Sequence, residues 1–449
     1  MVVSVKADEI QEAINRTEKS MVSVEVKVPY ALEAWRLFAL TESDSGDRCF
    51  FKNETMSFFG YKPLRKYKND SESKQTIFKE WETLKHDIAL IHPESEKHHL
   101  KLCGGFQFSN HKSEEWQQYG FNHFLLPGVL VTIENDVSYI TVTESRDDFS
   151  IEKMNTLVAW LTEADVVLPE HIAQPISMED IHKSSWRALV KEAIDTIDET
   201  KKVVLARRRL IKFDRPIHLA QVVRTALQNE KSSYLFVLES EDATFLSQTP
   251  EQLMRVDDDH LSTKAVAGTI KRTHDETLNQ HHLDAFLNDD KNLREHHFVV
   301  RSILDDIQNY AVDIDYSEQP KIMTNDHLYH LFTKIQGTLK ENRYIGLLDT
   351  LHPTPALGGF PKREAMDFIE TKEFGTRGLY GAPVGYVDIY DDCEFIVAIR
   401  SMLMHGSEAT LFAGCGIVKS SDPDMEIEET AVKFKPMMSA LGVEENDKS

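Results

Sequence analysis

KKVVLARRRLIKF, Lys201 to Phe213, is rich in β-branched residues and alternates in polarity, as a strand on a pleated, partly buried surface requires. YLFVLES, Tyr234 to Ser240, repeats the pattern, and the two are read as strands of one sheet. Just upstream, Trp186, Leu189, Val190, Ala193, Ile194 and Ile197 form an apolar stripe at helical spacing, the buried face of a helix. Downstream, strand-like sequence continues through Ile270. Helical patterns then run over Leu283 to Gln308 and Asp326 to Phe332, and Pro361 opens a further helix. Before about Pro175 the chain reads as strands and loops. Phe121 to Leu126 and Val129 to Glu144 alternate around a turn at Glu134, Asn135 and Asp136, and Cys103, Gly104 and Gly105 mark a tight backbone approach within a sheet. Runs of strands mixed with groups of helices, without a regular β-α alternation or a fixed repeat, predict an α+β fold rather than a Rossmann or TIM architecture.

At 449 residues the chain exceeds what one hydrophobic core usually serves, so two domains or one large two-lobed domain are expected. A net charge of -23 disfavours nonspecific nucleic-acid binding, which needs a basic surface to displace counterions. No segment stays apolar long enough to cross a bilayer. The first residues, MVVSVKADEIQEAINRTEKS, lack the basic start and unbroken apolar core of a signal peptide. Cys49, Cys103, Cys393 and Cys415 show no paired spacing, so free thiols, a reducing compartment and a cytoplasmic location are expected.

Two blocks rich in glycine and carboxylates stand out, LHPTPALGGFPKREA at Leu351 to Ala365 and LFAGCGIVKSSDPDMEIEETAVK at Leu411 to Lys433. Between them lie RGLYGAPVGYVD, Arg377 to Asp388, and AIR, ending at Arg400. Glycine beside cations and glutamates lets backbone approach a small anion, with clamps and metal-binding carboxylates at hand. Arg400, the amides around Gly414 and Gly416, and Lys433 can bind carboxylates, with Tyr380 as a hydroxyl donor and His352 nearby in sequence. Each residue also has a plainer local reading. Lys202 heads an apolar strand as a solvated end charge would, and Glu251 follows Thr249-Pro250 like an acid in a first helical turn. Glu295 lies in a polar run, and Glu426, Glu429 and Lys433 share a helical face at i, i+3 and i+7, where Glu429 and Lys433 can pair.

The motifs in order are KVVLAR (Lys202 to Arg207), TPE (Thr249 to Glu251), AGT (Ala267 to Thr269), REHHFVV (Arg294 to Val300), HPTPALGG, RGLYGAPVGY, AIR, FAGCGIV and EIEETAVK. Over roughly Glu192 to Gly442 this series resembles the chorismate-utilising enzymes, and among them the isochorismate synthases; the N-terminal third matches loosely. The resemblance implies extensive antiparallel sheets flanked by helices around a central cleft, with an N-terminal lobe over 1–175 and the chorismate-binding catalytic region over 176–449. It makes Lys202 the general base that activates water and Glu251 the general acid that protonates the departing C4 hydroxyl. The first role needs a neutral amine, for which Arg207 is a plausible neighbour, and the second a carboxyl with a raised pKa. It makes Glu295 and Glu429 direct ligands of Mg2+, with Glu426 acting through water, and places Arg400, Gly414, Gly416, Lys433, Tyr380, His352 and Thr269 around the substrate. His296 and His297 suggest zinc or iron less well, since no cysteine or spaced histidine completes such a site.

Within the family, Ala267 stands where aminodeoxychorismate synthases carry a nucleophilic lysine, and Lys202 where anthranilate synthases carry glutamine. Water addition at C2 is left, giving isochorismate. Salicylate synthase, which goes on to eliminate pyruvate, is the near alternative, and a silent chorismate-binding protein the distant one. The product is expected to feed menaquinone, with a catechol siderophore as the other outlet, and the enzyme to be a monomer or weak homodimer with no nucleic-acid or membrane partner.

Overall fold

The computed structural model describes residues 6–69, 75–109, 111, 113–229, 232–273, 275–324, 328–341 and 344–444. Twenty-one strands join in one hydrogen-bonded network among these residues, with helices on its outer faces. The network divides at one long strand, Asn122–Glu134, which pairs on one side with Met56–Asn69 and on the other with Lys101–Phe106 and Val137–Ser145. One arm runs from Met56–Asn69 through Cys49–Lys52, Tyr234–Ser240, Ala243–Thr249, Ser401–His405 and Glu408–Ile417 to Lys202–Phe213. The other runs from Lys101–Phe106 through Pro383–Asp388, Cys393–Val397, Gln252–Asp257 and His260–Lys271 to Leu328–Leu339.

Alternation along the strands sets how the arms pack. Phe51, Phe58, Phe236 and Phe245 of the first arm join Val384, Tyr386 and Ile396 of the second in one buried cluster. The ring of Tyr386 meets Phe51 at 5.1 Å and Phe58 at 5.4 Å, both edge-on. The intervening residues Phe50, Phe59, Leu235 and Val237 face outward into a second cluster with Leu37 and Phe38 of the helix Ala34–Leu40. The arms thus face each other over an aromatic interior while helices cover their backs.

Several expectations hold. The Asn122–Glu134 and Val137–Ser145 strands form the hairpin, with Asn135 and Asp136 at φ 51° and 61°, the left-handed pair that a two-residue turn demands. The stripe from Trp186 to Ala193 is buried on the helix Lys183–Thr196, Pro361 caps the helix Lys362–Lys372, and all four cysteines are free and buried. Three readings need correction. The N-terminal part holds helices as well as strands: Ala7–Arg16, Ala34–Leu40, Gln75–Lys85 and Ile151–Glu163. The Leu283 to Gln308 pattern is two helices, Glu276–Phe286 and Asp290–Ile307, the second capped by Asp289, which accepts from the Asn292 amide. Asp326 lies outside the described residues, and from Leu328 onward the expected helix is the strand Leu328–Leu339. That strand is hydrogen-bonded along both edges, to His260–Lys271 on one side and to Ala311–Tyr316 and Lys321–Thr324 on the other. Pairing on both edges overrides a local helical pattern.

Candidate active site

The chain crosses between the two arms at two adjacent places, and each crossing carries a site residue. Pro250 and Glu251 join Ala243–Thr249 of the first arm to Gln252–Asp257 of the second. Ala398, Ile399 and Arg400 make the return from Cys393–Val397 to Ser401–His405. The crossings are stitched together: the Val397 amide donates to the Glu251 carbonyl, and the Gln248 amide to the Arg400 carbonyl, each at 3.0 Å. Proline at 250 supplies no N–H to either ladder, and Arg400 takes φ 49°, the left-handed conformation that turns the chain out of the sheet. Glu251 therefore sits at a strand crossing, not in the first turn of a helix. Its side chain is 8% exposed. Burial pushes its carboxyl up to about 7, against the opposing pull of the positive Arg400, Lys202 and Lys433. One buried acid is thus faced by three cations.

Lys202 opens the strand Lys202–Phe213, and its Nζ stands 2.7 Å from Glu295 Oε1 on the helix Asp290–Ile307. A Cβ on Gly416 would lie 2.3 Å from Lys202 Cε, so the absence of a side chain at 416 is what lets the lysine pass. On the helix Pro423–Ala440, Lys433 Nζ donates to the Gly414 carbonyl at 2.8 Å and to Glu429 Oε1 at 2.7 Å. A Cβ on Gly414 would stand 2.5 Å from the Tyr380 hydroxyl, so the backbone at 414 is bare toward that phenol. Tyr380 is buried and stacks on Phe412 at 5.4 Å. Glu426 is buried one turn before Glu429, and its Oε2 has no hydrogen-bond partner among the described residues. Burial raises its pKa, opposed by contacts with Ser421 and Cys415 and reinforced by the neighbouring Glu429.

Two strand crossings, one glycine-lined lysine and two helices thereby gather Glu251, Arg400, Lys202, Glu295 and Lys433 into one site. The family model described as chorismate binding enzyme matches residues 8–442. The chain belongs to that family. It is 36% identical over 390 residues to isochorismate synthase MenF of Bacillus subtilis, covering 84% of this chain and 82% of that protein. It is 28% identical over 426 residues to the salicylate biosynthesis isochorismate synthase of Pseudomonas aeruginosa, covering 91% and 88% respectively. The fold superposes on that of MenF, the menaquinone-specific isochorismate synthase of Escherichia coli, with a TM-score of 0.80 at 23% identity, over 96% of this chain and 100% of that one.

The remaining expected residues of this chorismate-binding family member divide into several groups. His352 is buried with Nε2 3.2 Å from the Gly381 carbonyl and its ring edge-on to Phe108, so it braces the loop that carries Tyr380. Thr269 lies opposite His330 in the strand pairing, and its side chain falls outside the described residues. Arg207 is not a neighbour of Lys202. Five residues along an alternating strand it faces the other way, donating to the Ile427 carbonyl at 2.9 Å, to Thr430 Oγ1 at 2.7 Å and to Asp180. It anchors the helix that bears Glu426, Glu429 and Lys433. Arg377 of the RGLYGAPVGY block is likewise a brace, held by Glu373 and donating to the carbonyls of Leu357 and Val204.

His296 is buried, with Nε2 2.8 Å from Thr333 Oγ1, and burial pulls its pKa down to about 4. His297 is on the exposed side of the same helix. The two rings point into different surroundings, and among the described residues no three carboxylate, thiol or imidazole groups gather into a metal cage. Sequence reasoning missed His330. Buried on Leu328–Leu339, its pKa is lowered to about 3, first by desolvation and then by the charges of Arg400 and Lys433, leaving a neutral imidazole beside the cationic side of the cleft. The only sequence signal was a histidine within an alternating run, which a helical reading of that run hid.

Proposed function

We propose that the protein is an isochorismate synthase, converting chorismate to isochorismate by adding water at C2 and losing the C4 hydroxyl. The observation that carries this reading is Glu251, a buried carboxyl held up to about 7 and faced by Lys202, Arg400 and Lys433. A carboxyl protonated at neutral pH can donate to a departing hydroxyl, whereas an exposed glutamate would already have lost its proton. Arg400 and Lys433 supply the positive charge that the two substrate carboxylates require. Lys202 would take a proton from water once it has given up its contact with Glu295 and its ammonium proton. Similarity to the Bacillus subtilis and Escherichia coli enzymes supports menaquinone biosynthesis as the destination.

Glu295 and Glu429 would hold Mg2+ directly, with Glu426 behind them. The fit rests on an all-oxygen donor set and on the buried Oε2 of Glu426, which has no hydrogen-bond partner among the described residues. Mg2+ takes one or two carboxylates and keeps several waters, so no preformed cage is needed. Bound there, the ion would neutralise the substrate's carboxylate and fix its orientation. The deciding experiment incubates purified protein with chorismate and Mg2+ and separates the products by chromatography. Isochorismate alone is expected, and none after EDTA treatment. Equimolar salicylate and pyruvate would reassign the protein as a salicylate synthase, and unchanged chorismate would remove the catalytic reading.

A further inference from the structure

Both lysines of the cleft are engaged with the carboxylates assigned above to the metal. Lys202 holds Glu295 at 2.7 Å, and Lys433 holds Glu429 at 2.7 Å. The two pairs come from unconnected parts of the chain. Lys202 and Glu295 lie on a strand and a helix far apart in sequence, whereas Glu429 and Lys433 are one turn apart on a single helix. In each pair the lysine is the more buried member, 19% exposed in both, while Glu295 and Glu429 are 39% and 53% exposed. The carboxylates are thus the more solvent-accessible members of both pairs. Half-open ion pairs of this kind contribute little and are readily exchanged. On the helix of Glu429, the Oε2 of Glu426 is buried without a hydrogen-bond partner among the described residues.

We propose that Lys202 and Lys433 compete with a divalent cation for the carboxylates of Glu295 and Glu429, so that a cation binding to these glutamates exchanges both ion pairs. The cation takes the carboxylates, Lys202 is released and gives its ammonium proton to solvent before it can take one from water, and Lys433 is released toward the substrate. Cation and lysines compete for the same oxygens, so by linkage whatever weakens one contact strengthens the other. The chain thereby couples readiness of the base and of the carboxylate clamp to occupancy of the metal site. This inference rests on the reading of Glu295 and Glu429 as metal ligands, and the test separates the two.

Isothermal titration of Mg2+ into the full chain without substrate reads the competition directly. Lys202→Met and Lys433→Met are each expected to tighten Mg2+ binding about tenfold, within the range usual for linked sites. Lys201→Met removes the same charge from the adjacent position, where Glu364 holds it at 2.7 Å, and is expected to change affinity by no more than about twofold, as for screened charge. Unchanged or weaker binding in the Lys202 and Lys433 variants, with binding lost in Glu295→Gln and Glu429→Gln, would overturn the exchange and leave the metal site standing. Full binding in both glutamine variants would overturn the metal assignment itself. Acylation of wild-type lysines, read by peptide mass, provides an arm that needs no variant. Mg2+ is expected to raise labelling of Lys202 and Lys433 over that in EDTA, and equal or reduced labelling overturns the proposal.

Discussion

Glu25 and Glu251 are both buried glutamates, 1% and 8% exposed, and their surroundings drive them in opposite directions. Glu25 lies on the N-terminal strand Met21–Val28 and accepts from the His99 amide at 2.9 Å, His99 Nδ1 at 3.0 Å, Thr141 Oγ1 at 3.0 Å and Ser95 Oγ. Burial alone would raise its pKa, but these donors and the nearby histidines bring it down to about 2. Glu251 meets the same burial, and its carboxyl is opposed only by the charges of Arg400, Lys202 and Lys433, so it rises to about 7. A carboxylate satisfied by donors is a structural tie. One that is buried and accepts no such donor among the described residues keeps its proton toward neutrality, even against three cations.

The largest expected effect lies on the functional side of that contrast. Lys202→Ala should lower turnover of chorismate by roughly 10²- to 10⁴-fold, the usual value of a general base, with an unchanged melting curve. A fully active variant would mean that the cleft's chemistry does not run through this lysine. Glu251→Gln should cost a similar factor in turnover and yet stabilise the fold. The folded chain holds the Glu251 proton up to about pH 7, whereas the unfolded chain releases it near 4.5, so wild-type stability falls as pH rises between those values. The variant's gain should therefore be absent below pH 4.5 and reach roughly 3 kcal/mol above pH 7. Urea unfolding at pH 4 and pH 8 measures it, and a variant less stable at pH 8 would show that the buried charge is compensated.

Glu25→Gln should act the other way, destabilising by about 1–3 kcal/mol at pH 7 while turnover per folded molecule is kept. Here the folded pKa is depressed from 4.5 to about 2, so the wild-type advantage is present above pH 4.5 and lost as pH falls toward 2. An inactive but stable Glu25 variant would erase the distinction between tie and acid. The smallest effect is in the pH profile of kcat, which should decline as pH rises through about 7, where Glu251 loses its proton. The Glu25 variant should leave that limb unmoved.

Much of the fold was legible where a local signal had one physical meaning. Asn135 and Asp136 tolerate the left-handed turn that joins two alternating runs, and proline at 361 cannot continue a strand ladder. The run from Leu328 was misread because Leu328, Leu331, Phe332 and Ile335 recur at helical spacing. In the fold, Leu331, Thr333 and Ile335 are buried and Lys334 is exposed, the alternation of a strand, held in place by pairing along both edges. Arg207 shows the same limit inside the site. Its place in KVVLAR suggested service to Lys202, but strand alternation sends it to the opposite face as an anchor.

The sequence by itself determined the family, through motifs spread from Lys202 to Lys433, and it proposed an acid, cations and carboxylates that the fold brings close together. It determined these because residue type limits chemistry: only certain side chains clamp carboxylates, donate protons or bind a hard cation. Only the tertiary structure decided their states. The Glu251 carboxyl is pushed up to about 7 because its burial at two strand crossings outweighs the downward pull of three nearby cations, and Lys202 and Lys433 are engaged because Glu295 and Glu429 are brought within 2.7 Å. Burial and proximity are properties of packing between distant segments, and no local stretch of sequence contains them.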